Sequence, residues 1–200
     1  MNGGQFDSQA AKVARQQVLD RIATACVSAG RDPHKVQLLA VSKTFAYERL
    51  LAMADTGQHA FGENYLQEAL EKQQAISDER PDLTLEWHFI GPIQSNKTKS
   101  IAEHFDWVHT VDRAKIARRL STQRPPARGE LQVCVQVNID DEASKSGCTP
   151  AQAIELARDV SALPNLRLRG LMAIPAPTQD AQAQRAAFAA VKSLFDERQT

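Results

Sequence analysis

Long apolar runs are missing from this chain, and with them any segment near the roughly 20 residues of a membrane-spanning helix. Neither sign of charge is in excess, because 24 Lys and Arg balance 24 Asp and Glu. That balance argues against a broad basic field for nucleic acid and against an acidic tail. Cysteine is scarce: Cys26, Cys134 and Cys148 form no CxxC and leave an odd one over. This excludes a disulfide scaffold and fits a reducing cytoplasm, with Cys134 a small core hydrophobe. The first residues, Met1 to Ser8, hold no apolar signal core. No GxSxG occurs, His34, His59, His104 and His109 do not pair at i, i+4, and no paired carboxylates stand at strand ends. A nucleophile elbow, a metal site and a glycosidase site are therefore not expected.

What is present is a chain of 200 residues, 42% hydrophobic and 24% charged, enough for one domain with a normal core. Residues 8–29 predict a helix with Val18, Ile22 and Cys26 in i, i+4 steps, stopped at Gly30. Strands and helices then alternate. Strands are expected at 36–42, 59–61, 87–90, 107–111, 131–139 and 166–174. The helix after the second strand should bury Tyr65, Leu66, Ala69, Leu70 and Ile76. Asp112 can cap the helix of Ile116, Ala117 and Leu120. Thr149-Pro150 reads as a cap with a first-turn proline. A last helix, about 180–197, should bury Phe188, Val191, Leu194 and Phe195.

Six βα units in succession imply a parallel sheet. A doubly wound sheet would usually carry a glycine-rich loop after its first strand, and here that loop is Ser42-Lys43-Thr44-Phe45. The expectation is a (β/α) TIM-type barrel, one domain over 1–200, with about six of eight units present. The first and sixth strands would then be edges.

In such a barrel the chemistry collects where strands end. Lys43 ends the apolar run Leu38 to Val41 and is placed to be desolvated, which favours the neutral amine that attacks an aldehyde. A carbonyl cofactor such as pyridoxal phosphate (PLP) becomes a candidate. Glu63 and Asn64 follow the second strand, His88 lies in the third, Asn138 ends the fifth, Lys145 sits in the loop after it, and Met172 ends the sixth. Amide and lysine groups around an amine nucleophile suit a ring hydroxyl or a carboxylate.

The run Trp87-His88-Phe89-Ile90-Gly91-Pro92-Ile93-Gln94-Ser95-Asn96-Lys97 resembles the signature of the pyridoxal phosphate homeostasis protein family. So do Ala40-Val41-Ser42-Lys43-Thr44, Phe61-Gly62-Glu63-Asn64, Val137-Asn138-Ile139 with Lys145-Ser146-Gly147, and Gly170 to Pro175. The resemblance implies a barrel like the N-terminal domain of alanine racemase. It implies PLP held as a Schiff base on Lys43, without catalytic turnover, in a protein that balances vitamin B6 pools. Asn64 and His88 would line the ring pocket, with Met172 nearby. Lys145 is a candidate for taking over the aldehyde during handover to PLP-dependent client enzymes. Family members continue into two further segments that hold the cofactor phosphate, so this chain reads as shortened at its C-terminus. No nucleic-acid or membrane partner is expected, and a monomer is expected over an oligomer. The alternative is a fold-type-III PLP enzyme such as an amino-acid racemase. That reading lacks a second domain and a suitably placed tyrosine, since Tyr47 and Tyr65 both fall in first turns of expected helices.

Overall fold

The computed structural model describes residues 8–140 and 146–197. The chain divides into two compact units, Met1–Glu86 and Trp87–Thr200.

In the first unit, α1 (Ser8–Ser28) turns Ala11 and Cys26 inward, while Val18 is exposed. The anchor of this helix is polar. Arg15 donates from Nη1 and Nη2 to the carbonyls of Thr56 and Gly57, and from Nε to Oε1 of Gln58. Asp32 caps a single 3-10 turn, Pro33–Lys35, before the first strand. That strand, β1 (Ala40–Val41), is two residues long rather than the seven expected from its apolar composition. It pairs in parallel with β2 (Ala60–Glu63) through Ala40↔Phe61 and Val41↔Gly62. Val41 is 48% exposed, so the run is not buried on both faces. Between the two strands lies α2 (Tyr47–Ala54), which buries Leu50, Leu51 and Ala54. Its chain reversal uses Gly57 at φ 91°, a left-handed conformation that costs glycine little.

After β2 comes α3 (Leu66–Glu79). Tyr65, expected inward, is the residue before its first turn and is 56% exposed. The buried positions of α3 are Ala69, Lys72 and Ile76, so a lysine occupies a place in the core-facing stripe.

Among the described residues, the second unit carries a parallel run of strands in chain order: β3 (Glu86–Phe89, all but its first residue in this unit), β4 (Trp107–Val111), β5 (Leu131–Gln136) and β6 (Leu166–Met172). Its valines and leucines at 108, 111, 131, 133 and 135 are fully buried, as continuous apolar runs in a parallel sheet should be. Four helices accompany these strands: α4 (Thr98–His104), α5 (Ala114–Gln123), α6 (Pro150–Ser161) and α7 (Ala181–Glu197). Ile116, Ala117 and Leu120 of α5 are buried as expected. Asp112 does not cap that helix. Arg113 occupies the cap position, and the Asp112 carboxylate accepts from the Arg113 guanidinium instead. Thr149 does cap α6, in a reciprocal capping box with Gln152 and with Pro150 in the first turn.

The last helix buries less than its pattern promised. Phe188 is 59% exposed, and no residue of α7 is fully buried. Phe195 comes close to β6, its ring lying 3.4 Å from where a side chain at Gly170 would begin. Cys134 and Cys148 are buried thiols, both pushed up to about 11, chiefly by burial, which leaves them protonated and inert.

Candidate functional site

The strand end of the first unit carries the most unusual chemistry in the described residues. Glu63 closes β2 with its side chain fully buried, and Lys72 of α3 is 6% exposed. A lone charge at either place would carry a heavy desolvation cost. Lys72 Nζ meets Glu63 Oε1 at 2.7 Å and Glu68 Oε1, one helical turn back, at 2.6 Å. Its third hydrogen bond goes to the main-chain carbonyl of Ser42 at 2.8 Å. All three ammonium donors are therefore used.

The other members return to the same turn. Ser42 donates its hydroxyl to Glu63 Oε1 at 2.6 Å, and its N–H to the Gly62 carbonyl at 2.9 Å. Glu68 Oε1 accepts the backbone N–H of Thr44 at 2.6 Å. Burial would raise the Glu68 carboxyl, but its hydrogen bonds from Lys72 and Thr44 outweigh that and hold it below the ordinary carboxylate value. Thr44 sits at φ 68°, a left-handed conformation that a β-branched residue adopts only under constraint. Phe45 N–H closes the turn on the Ser42 carbonyl at 3.1 Å.

Lys43 lies at the centre of this turn, between two main-chain groups that side chains of α3 hold. Its side chain is exposed, which corrects the expectation of a lysine desolvated at the mouth of a buried strand. The turn rather than burial distinguishes it. An apolar cavity of about 170 Å³ adjoins the turn, lined by Val41, Ser42, Phe45, Leu50 and Phe61 among others. Asn64, in the loop between β2 and α3, is half-buried.

In the second unit, His88 of β3 is buried. Its Nδ1 lies 2.8 Å from Nε2 of His109 on β4, and its ring stacks on Trp107 at 5.3 Å between centroids. One histidine of the pair must donate and the other accept, so at least one is neutral. Arg169 of β6 lies over the Trp107 ring at 5.4 Å. Met172 ends β6 half-buried, and its carbonyl accepts the N–H of Val137. Lys145 lies outside the described residues.

Sequence reasoning named Lys43, Glu63 and Asn64 at these strand ends but missed Lys72 and Glu68 and gave Ser42 no role. The available signal was weak. Glu68 and Lys72 stand at i, i+4, the spacing of an ordinary surface pair, and only the otherwise apolar positions of Ala69 and Ile76 place Lys72 on the inward stripe.

Residues 13–200 match the family described as the alanine racemase N-terminal domain. A pyridoxal phosphate homeostasis protein of Pseudomonas aeruginosa is 58% identical over 178 residues, covering 89% of this chain and 76% of that protein. The crystal structure of an unknown protein from Bifidobacterium adolescentis superposes with a TM-score of 0.87 at 31% identity, over 98% of this chain and 82% of that one. PipY of Synechococcus elongatus, solved with PLP bound, gives 0.74 at 33% identity, over 91% of this chain and 82% of that one.

Proposed function

The chain belongs to the pyridoxal phosphate homeostasis proteins of the alanine racemase N-terminal domain family, and we propose that it binds PLP through the amine of Lys43. Its α/β fold is the one that family shares. The observation that carries the reading is the turn itself. Lys43 presents an accessible amine at a strand end, on a backbone held from both sides by a partly buried ion network. Those residues fit a cofactor whose reactive group is an aldehyde. The amine needs room to meet the aldehyde carbon, and exposure provides it. When bound, PLP would supply the carbonyl for a Schiff base, with one water released and no oxidant consumed.

Asn64, His88 and Met172 are further contact candidates in this proposal, each at or beside a strand end. His88 Nδ1 is engaged with His109. The role is one of holding and releasing the cofactor without turnover. The relatives' shared name, a homeostasis protein rather than an enzyme, supports this.

Absorbance titration with PLP tests the reading. The native chain should develop a visible band that saturates at one equivalent, and Lys43→Ala should lose it. An unchanged band in Lys43→Ala would remove Lys43 from the proposal, and alanine racemisation by the loaded protein would replace the holding role with an enzymatic one.

A further inference from the structure

We propose that Glu68 and Lys72 are positioning residues for Lys43, setting the direction of its amine by gripping the peptide groups on either side of it. The proposal rests on Lys43 being the PLP-binding amine. Lys72 holds the carbonyl of Ser42, and Glu68 holds the N–H of Thr44. These are the main-chain groups just before and just after Lys43. The two holding side chains stand one turn apart on α3 and are bonded to each other at 2.6 Å, so they act as one clamp. The clamp is tied into the core by Glu63, whose Oε1 takes bonds from both Lys72 and the Ser42 hydroxyl.

One feature shows that the clamp does more than neutralise buried charge. Thr44 is kept at φ 68°, where a residue of its shape does not stay unaided, and its N–H ends on Glu68.

The physical consequence is preorganisation. An exposed lysine side chain samples many rotamers, and attaching an aldehyde to it costs that freedom. Fixing its backbone removes part of the cost before the cofactor arrives. The clamp should therefore act on affinity for PLP and on the order of the turn, beyond its effect on stability.

Glu68 is the better place to test this, because it is partly exposed and its loss should leave a folded chain. Glu68→Ala removes the acceptor for Thr44, whereas Glu68→Gln keeps an oxygen there and removes the charge. Two quantities are read: the dissociation constant for PLP from the visible band, and hydrogen exchange of the Thr44 amide in protein without added cofactor. Glu68→Ala should weaken PLP binding about tenfold and speed Thr44 exchange by a similar factor, the worth of one charge-assisted hydrogen bond. Glu68→Gln should recover most of both. Lys72→Met should match or exceed Glu68→Ala in both readings at a temperature where circular dichroism shows it folded. Unchanged affinity and unchanged Thr44 exchange in Glu68→Ala would overturn the proposal, as would a Glu68→Gln variant no better than Glu68→Ala. If the native chain shows no PLP band, the reading of Lys43 fails separately. Thr44 exchange then decides the clamp alone: faster in Glu68→Ala keeps it, unchanged removes it.

Discussion

The two units each bury a cation, and they treat it in opposite ways. In the first, Lys72 meets two carboxylates and one carbonyl, all leading to the turn that carries Lys43. In the second, Arg124 is 4% exposed and gives its hydrogen bonds to main-chain carbonyls: Ala102, Phe105, Arg128 and Gly129. Two of these oxygens end α4, where the helix dipole favours a cation. Burial lowers the Arg124 pKa, yet a guanidinium stays charged throughout the working range. Arg124 thus fastens a helix end and a loop with neutral partners. Lys72 uses carboxylate partners and holds a strained turn. One buried cation fastens the fold, and the other leads to the turn that carries Lys43.

The largest expected effect is at Lys72. Lys72→Met strips the counter-charge from the buried Glu63 and should cost about 3–5 kcal/mol of unfolding free energy in urea titrations. It should also weaken PLP binding. Arg124→Ala should cost about 3 kcal/mol, because it strands neutral carbonyls rather than a carboxylate. It should leave PLP affinity intact at temperatures where the protein is folded. Equal losses of affinity in the two variants would erase the contrast between the two cations.

Acid should separate them further. Glu68 has a carboxyl held below its unfolded value near 4.3, so its contribution is full above that pH and is lost as pH falls through the lower folded value. Native protein should therefore lose stability below about pH 4 more steeply than Glu68→Gln does. Arg124 carries no such dependence, and Arg124→Ala should show the native slope.

The smallest effect concerns the turn. Thr44→Gly relieves a left-handed φ but frees the unfolded chain, so a net gain of about 0.5 kcal/mol is expected. Its PLP affinity should fall even so, because glycine loosens the turn. A gain in stability with a loss in affinity would show that strain at Thr44 serves the site.

Much of this was legible from the residues. The alternation of strands and helices, the Thr149-Pro150 cap and the start of the fifth strand at Leu131 follow from period, cap chemistry and valine content, which are local signals, although that strand ends at Gln136 rather than at 139. The two-residue β1 was not, because strand length depends on what pairs with it, and its apolar run reads the same when only part of it is paired. Phe188 misled for a related reason: a helical apolar stripe says which face is inward, not how much surface waits to receive it. At the site, Lys43 stood out by its place at a strand end. The clamp did not, since a buried Lys72 is written in the same letters as a solvated i, i+4 pair, and only tertiary packing distinguishes the two.

The most direct measurement is a peptide map of the native chain after incubation with PLP and reduction with borohydride. One labelled lysine is expected, Lys43, at close to one equivalent, with Lys72 unlabelled because its ammonium is fully engaged in the buried network. Label spread over surface lysines, or carried by Lys72 in place of Lys43, would contradict it.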